Sequence, residues 1–166
     1  MNTLRHTTVR TDLGAVTFVA EGDDVVGCRF DADTSTCGDA VAPSTDSVLG
    51  PAVAQFREYL DGDRTEFELS IRTDGDEFHE RVWAVVRTIP FGDTVSYGEI
   101  ASRLGDPGLA RRVGRAVGAN PIGVFIPCHR VIGADGSLTG YGGGLARKRH
   151  LLDLEESPET RASRLF

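Results

Sequence analysis

The first half of the chain alternates between apolar and polar residues with the two-residue period of β-strands. The alternation extends over residues 9–20, where a turn at residues 12–14 interrupts it, and returns over residues 25–30. Short polar turns between such runs are typical of antiparallel hairpins. The pattern therefore predicts an antiparallel meander near the start of the chain.

A helix and a further strand are predicted after a polar loop at residues 31–47. Apolar residues recur at helical spacing over residues 49–60, and a glycine follows that run. Residues 65–71 are expected to form another strand. The polar residues 73–76 are the expected boundary between two parts of the chain.

The second half predicts a series of helices. An apolar stripe over residues 78–89 has helical spacing and ends at Pro90, which cannot continue a helix. Ser96 and Glu99 then have the spacing of a capping box, so a helix is expected to begin at Tyr97.

A second short helix is predicted to begin at Asp106 and Pro107, which suit an N-cap and a first helical position. Two short helices with a tight link have the outline of a helix-turn-helix. The apolar residues of the second helix share one face, which leaves three arginines to project outward: Arg111, Arg112 and Arg115. Small residues on this helix permit close approach of another backbone, either a neighbouring helix or a nucleic-acid strand.

The charge of the chain changes sign along its length. The whole chain carries a net charge of −7. Residues 1–80 hold 17 Asp and Glu against 6 Arg, whereas residues 81–166 hold 8 against 12 Arg and Lys. A basic segment on an acidic body can face phosphates. A high-salt or GC-rich background explains the acidic half equally well, but it does not explain the change of sign.

Composition also limits the class of protein. No stretch approaches the roughly 18 to 20 consecutive apolar residues of a membrane span, so we expect a soluble, cytoplasmic protein with no membrane contact. Three cysteines at irregular spacing do not make a disulfide framework. We expect no metal site, because Cys28, Cys37, His6 and His79 are better explained as ordinary core or surface residues.

The strongest chemical signal is a thiol in the string Pro-Cys-His-Arg at residues 127–130, which follows a predicted buried strand at residues 124–126. A neighbouring imidazole or guanidinium lowers the pKa of a thiol and so favours the nucleophilic thiolate. Consecutive residues of an extended segment point to opposite sides, so Cys128 and His129 meet only if the chain bends or through a water. This spacing is poor for a protease dyad and poor for zinc.

These residues resemble those of the O6-alkylguanine-DNA alkyltransferases, also called methylated-DNA-protein-cysteine methyltransferases. The resemblance covers about residues 83–155 and is carried by five segments: 89–92, 95–97, 120–121, 126–132 (IPCHRVI) and 141–146 (YGGGLA). It implies an α+β fold in two domains. Residues 1–74 would form a small antiparallel sheet domain, ribonuclease H-like in the family, and residues 75–166 a winged helix-turn-helix-like alkyltransferase domain.

The reaction that the resemblance implies is DNA repair without a cofactor. Cys128 would take the alkyl group from O6 of guanine, and also from O4 of thymine, and would keep it as a thioether, so each molecule acts once. His129, held by Glu155, would be bridged to the thiol by water, which is the orienting arrangement of catalytic triads. Asn120 would form a turn near the thiol, and Tyr97 would protonate the departing guanine.

The resemblance also implies a monomer that binds the minor groove of double-stranded DNA and flips the damaged nucleotide out. Arg111 would fill the gap that the nucleotide leaves, with Arg112 or Arg115 as the fallback. Further residues are assigned to DNA binding: Ala110, Gly114, Arg130, Lys148, Tyr141 and Gly142. Lys148 also matches a family lysine near the pocket. Gly142 replaces a serine common in some members, which leaves the range of accepted alkyl groups open.

Three other functions are weighed against this one. Alkyltransferase-like proteins share the scaffold and bind lesions without transfer, but they replace the cysteine that Cys128 retains. Regulatory members carry an additional metal-binding region with clustered cysteines, which this sequence lacks. An unrelated thiol hydrolase or redox protein would need a different Cys-His geometry or a Cys-x-x-Cys pair.

Overall fold

The computed structural model describes residues 3–156, and residue contacts divide the chain into two compact units. The first unit contains the residues up to Asp74 together with Pro121–Phe125, and the second contains Gly75–Asn120 and the residues from Ile126 onward. The predicted domains were 1–74 and 75–166, and they did not anticipate that residues 121–125 return to the first unit. Backbone hydrogen bonds from Cys28 N to Pro121 O, 3.0 Å, and from Gly123 N to Cys28 O, 3.0 Å, account for it.

A four-stranded sheet forms the first unit, in the spatial order β3, β2, β1, β4. Its strands are β1 (Leu4–Thr11), β2 (Gly14–Glu21), β3 (Asp24–Phe30) and β4 (Asp39–Ala40). The first three strands pair antiparallel, which confirms the predicted meander. The short β4 lies in the predicted polar loop and pairs parallel with β1.

Helix α1 (Leu49–Leu60) has the bounds that the apolar spacing predicts. Its buried face includes Phe56, whose ring meets that of Phe18 edge-on at a centroid distance of 5.2 Å. Phe125 completes the cluster at 6.1 Å from Phe56, so the returning segment contributes to this core. Burying large aromatic side chains is a major source of stability in a unit of this size.

The predicted strand at residues 65–71 is wrong, because only Ile71 forms a bridge, to Val25. The ring of Phe67 turns into the core, 4.7 Å from the ring of Phe125. The backbone N–H of Glu68 donates to the side chain of Gln55 on α1 at 2.8 Å instead of to a strand. This segment is therefore held by the ring contact of Phe67 and the hydrogen bond to Gln55, and not by the strand pairing that was expected.

Four helices and a short sheet make up the described part of the second unit. The helices are α2 (Glu77–Arg87), α3 (Tyr97–Arg103), α4 (Ala110–Gly118) and α5 (Leu145–Glu155). Two-residue strands β5 (Val95–Ser96) and β6 (Val131–Ile132) pair in parallel. The indole N–H of Trp83 on α2 donates to the Ala116 carbonyl of α4 at 2.8 Å, which fastens these helices together.

The predicted start of α3 is confirmed, since the Ser96 hydroxyl accepts from the Glu99 N–H at 3.0 Å. The second helix of the pair differs in its first turn. Asp106 caps as predicted, accepting from the Gly108 N–H at 2.8 Å, but Pro107–Leu109 is a 3₁₀ turn and α4 begins only at Ala110.

Residues 124–126 are buried as predicted, but the strand expected there is wrong. Val124 has a φ of +69°, a left-handed conformation that a β-branched residue rarely adopts. The chain turns here instead of running straight into residue 127. Between residues 3 and 156, no helix is both long enough and apolar enough to cross a membrane.

Candidate active site

Cys128 lies on a buried 3₁₀ turn, Cys128–Arg130, between the turn at Val124 and strand β6. The Cys128 N–H donates to the Ile126 carbonyl at 2.7 Å, and the Arg130 N–H donates to that of Pro127 at 2.9 Å. The segment therefore bends at the thiol, which is one of the two arrangements that the sequence left open. Because consecutive side chains no longer alternate, His129 and Arg130 reach the same partner.

That partner is Glu155, the last residue of α5. Nε2 of His129 lies 2.6 Å from Oε2 of Glu155, and both residues are buried. An ionised carboxylate only accepts hydrogen bonds, so Nε2 carries the proton. The structure thus brings together the two residues that the family resemblance paired, and their roles in a reaction stay predictions.

Arg130 binds the same carboxylate through two parallel hydrogen bonds. Nε donates to Oε1 of Glu155 at 2.7 Å and Nη2 donates to Oε2 at 2.9 Å. Nη1 donates to the Ile89 carbonyl at 2.6 Å. Only 6 % of Arg130 is exposed and its guanidinium is bound inside the protein, so its role in DNA binding stays a prediction that these contacts do not favour.

The charge of Glu155 follows from these contacts. Burial alone raises the pKa of the carboxyl, but the hydrogen bonds from His129 and Arg130 outweigh burial and lower it to about 2. Glu155 is therefore an anion at any physiological pH.

The thiol of Cys128 has a raised pKa, because burial disfavours the thiolate. A hydrogen bond from the Asn120 side chain and the positive charge of Lys148 oppose this shift without reversing it. The sequence had assigned the opposite direction, with His129 and Arg130 as the cause. Both of those side chains are instead committed to Glu155.

Asn120 also fixes the turn before the thiol. Its side-chain N–H donates to the Ile126 carbonyl at 2.9 Å, across the loop that leads from α4 to residue 127. The asparagine therefore both closes this loop and presents its amide to the sulfur, which agrees with the expected turn near the thiol.

Lys148 is a buried cation on α5, with none of its surface exposed. Nζ donates to the carbonyls of Val131 at 2.6 Å and Thr139 at 2.9 Å. Burial lowers the pKa of this ammonium, and the nearby Cys128 raises it in part. This charge near Cys128 agrees with the expected place of Lys148 near the pocket, whereas its role in DNA binding stays a prediction.

The Tyr97 hydroxyl donates to the same Thr139 carbonyl at 3.1 Å. One backbone oxygen thus receives hydrogen bonds from both Tyr97 and Lys148. Sequence reasoning missed Thr139, Val131 and Ile89 because each acts through a backbone carbonyl, which no residue type reveals.

Helix α4 exposes the predicted arginines, Arg111, Arg112 and Arg115. Arg112 stacks on Phe78, with Cζ 4.0 Å from the ring centroid, so Arg111 and Arg115 are the better candidates for a ligand. Ala110 is half-buried, and a Cβ added to Gly114 would lie 3.8 Å from the Tyr97 ring. At least part of the small-residue pattern therefore serves helix packing.

The glycine-rich loop before α5 carries the last predicted residues. Gly142 is exposed and has open space around its missing side chain. Tyr141 is half-buried with its hydroxyl oxygen inside the protein. Gly144 has a φ of +91° at the N-cap of α5, a conformation that favours glycine. The loop therefore directs the chain into the helix that carries Lys148 and Glu155.

Known proteins match the chain over most of its length. Residues 77–157 match the family described as 6-O-methylguanine DNA methyltransferase, DNA binding domain. The methylated-DNA-protein-cysteine methyltransferase of Mycobacterium tuberculosis strain H37Rv is 43 % identical over 154 residues, which cover 93 % of each chain. The protein of the same name from Haemophilus influenzae is 33 % identical over 160 residues, covering 95 % of this chain and 89 % of the relative.

Solved structures agree with these sequences. The crystal structure of Mycobacterium tuberculosis OGT in complex with DNA superposes with a TM-score of 0.84 at 44 % identity, covering 92 % of each chain. This match confirms the predicted α+β fold. From the site geometry and these relatives we conclude that the chain belongs to the methylated-DNA-protein-cysteine methyltransferase family.

Proposed function

We propose that this chain repairs O6-alkylguanine in DNA by moving the alkyl group irreversibly onto Cys128. The observation that carries the proposal is the environment of the sulfur. The thiol is buried beside the Asn120 amide and the Lys148 charge, on the same turn as an imidazole held by Glu155. The relatives named methylated-DNA-protein-cysteine methyltransferases support the same chemistry.

The nucleophile is made when the base arrives, because burial keeps the resting thiol protonated. The proton leaves the sulfur for Nδ1 of His129, directly or through one water. The developing negative charge on the sulfur is then stabilised by the Asn120 amide and the Lys148 ammonium.

The transfer itself forms one bond and breaks one. The sulfur donates its electron pair to the alkyl carbon, and the bond between that carbon and O6 breaks with its pair retained by the guanine. Tyr97 supplies a proton to the base and makes it a better leaving group. The resulting thioether offers water no leaving group to displace, so each molecule reacts once.

We extend the substrate to O4-alkylthymine, since this lesion also carries its alkyl group on an exocyclic oxygen beside a ring nitrogen. The DNA is double-stranded, and the lesion is flipped out of the minor-groove side to reach a buried sulfur. Arg111 and Arg115 supply exposed positive charge on α4. The protein acts as a monomer, in the cytoplasm, where reducing conditions keep a reactive thiol free.

A lesion-binding protein without transfer activity is the alternative function. The site of such a protein must fit the damaged base, but it needs no nucleophile. The Asn120 amide and the Lys148 charge lower the pKa of the Cys128 thiol against the larger effect of burial, and contacts that favour a thiolate have no use in a protein that only binds.

Intact-mass measurement after mixing the protein with a duplex that carries O6-methylguanine tests the proposal. We expect a gain of about 14 Da, one methyl replacing one hydrogen, at a single thiol. Cys128→Ser should show no gain, whereas Cys37→Ser, which alters another buried free thiol, should keep it. An unchanged mass with retained binding of the duplex would establish the binding-only function instead.

A further inference from the structure

Two cationic or protonated groups share the carboxylate of Glu155. Oε1 accepts from Nε of Arg130 at 2.7 Å, while Oε2 accepts from Nη2 of Arg130 at 2.9 Å and from Nε2 of His129 at 2.6 Å. A third hydrogen bond, from Nη1 to the Ile89 carbonyl at 2.6 Å, fixes the orientation of the guanidinium. A two-pronged contact of this kind is among the strongest and most directional in proteins.

Because Arg130 shares Glu155, the carboxylate has a weaker electrostatic effect on the His129 imidazole. An imidazole beside an unpaired carboxylate gains a proton readily, because the anion stabilises imidazolium. Here the guanidinium, which stays charged at all relevant pH values, already neutralises that anion. A positive charge on the imidazole would be repelled by the guanidinium of Arg130, which binds the same carboxylate.

Three charged groups among the described residues act on the pKa of His129. Glu155 on α5 favours imidazolium, whereas Arg130 on the same turn and Lys148 on α5 disfavour it. Cys128 is the remaining titratable neighbour, and burial keeps its thiol neutral. Burial has the largest effect on His129, and the pKa of its imidazole is lowered overall.

We propose that Arg130 is a positioning residue that sets the charge of His129: by sharing Glu155 it keeps the imidazole neutral, with its proton on Nε2. Nδ1 is then an acceptor. This atom is buried and has no hydrogen-bond partner among the protein atoms of residues 3–156. The part of this inference that concerns alkyl transfer rests on the proposed function, whereas the charge of the imidazole does not.

One consequence separates this site from cysteine proteases. In a papain-like site the thiol and the imidazole exist as a thiolate and imidazolium pair before substrate binds. The arrangement around Glu155 instead favours a neutral thiol beside a neutral imidazole. The proton then moves only when the alkylated base is present.

Nitrogen-15 NMR of the histidine rings tests the charge directly in the unreacted protein. The chain has four histidines, and comparison with the spectrum of His129→Asn assigns the signal of His129. We expect a neutral ring protonated on Nε2 at pH 7. A doubly protonated ring at pH 7, or a proton on Nδ1, would overturn the proposal whether or not the protein transfers alkyl groups.

The pH profile of single-turnover transfer tests the role of Arg130. In Arg130→Gln the acid limb should move upward by about one to three pH units, because His129 then faces an unneutralised carboxylate. Arg130→Lys should restore the limb in part, since it keeps the charge and loses the two-pronged contact. Arg57→Gln, which alters an exposed arginine of α1, should leave it unchanged.

An unmoved acid limb in folded Arg130→Gln would contradict the proposal, since a purely structural role lowers stability without shifting the profile. If that variant does not fold, the wild-type ring spectrum still decides the charge of His129, and the acid limb of Arg130→Lys decides whether Arg130 sets that charge. If wild-type protein transfers nothing at any pH, the proposed function fails, and the same spectrum still confirms or rejects the charge assigned to His129.

Discussion

Nε2 of His129 and Oε2 of Glu155 lie 2.6 Å apart although 26 positions separate the two residues in the sequence. The contact joins the 3₁₀ turn that carries the thiol to the last residue of α5. The orientation of the imidazole therefore depends on where this helix ends. Changes at Glu155 should alter stability and chemistry together.

Glu155→Gln should lower the free energy of unfolding by about 3 to 5 kcal/mol, because it leaves Arg130 buried without its anion. Urea titration followed by the fluorescence of Trp83, the only tryptophan, reports this change in the second unit. Glu58→Gln removes the partly exposed ion pair with Arg64 and should have a much smaller effect. Equal losses in the two variants would contradict the importance given to burial.

Stability should fall as the pH is lowered from about 4.5 to about 2. The pKa of Glu155 is about 2 in the folded protein and 4.5 in its ordinary state, so its stabilisation is complete above 4.5 and is lost as the folded carboxyl takes up a proton. Urea midpoints measured by Trp83 fluorescence between pH 7 and pH 3 check this. Glu155→Gln should flatten the profile, and an equally steep decline in that variant would assign the pH dependence to other groups.

Lys148→Met should make the Cys128 thiol less reactive. Without the ammonium, the pKa of the thiol rises further, and each unit of increase lowers the thiolate fraction about tenfold. The rate of alkylation by iodoacetamide, followed at Cys128 by peptide mass mapping between pH 7 and pH 10, measures the change. Arg149→Met, at the next position on α5 but exposed, is the matched control and should react like the wild type.

Arg111→Ala should weaken DNA binding without changing stability. Loss of one phosphate contact reduces the slope of log affinity against log salt by about one. Fluorescence anisotropy with a labelled duplex at several salt concentrations measures that slope. Arg112→Ala is an informative comparison, since its guanidinium is stacked on Phe78, and we expect a smaller change in slope.

The sequence predicted local features well where the signal and its effect lie close together. Ser96 and Glu99 are three residues apart, and the cap between them is present. The meander follows from short turns between alternating runs. The position of the thiol beside Asn120 came from the family resemblance and agrees with the contacts around the sulfur.

Prediction from sequence missed contacts between residues that lie far apart in the chain. Arg130 was assigned to DNA binding, and nothing near it in the sequence shows that Glu155, 25 positions away, binds its guanidinium. The acceptors of Lys148 could not be predicted either, since they are backbone oxygens. Alternation at residues 65–71 predicted a strand because it cannot show that Phe67 packs against other aromatic rings.

The shared oxygen of Thr139 determines how Tyr97 can take part in a reaction. The Tyr97 hydroxyl has one proton, and it donates that proton to the Thr139 carbonyl. A nucleobase that needs it must compete with the protein's own main chain. If Tyr97 protonates the base as proposed, Lys148 still donates to the Thr139 oxygen, so that this carbonyl keeps a hydrogen bond. The phenol proton would then pass only to a base that accepts it better than a peptide carbonyl does.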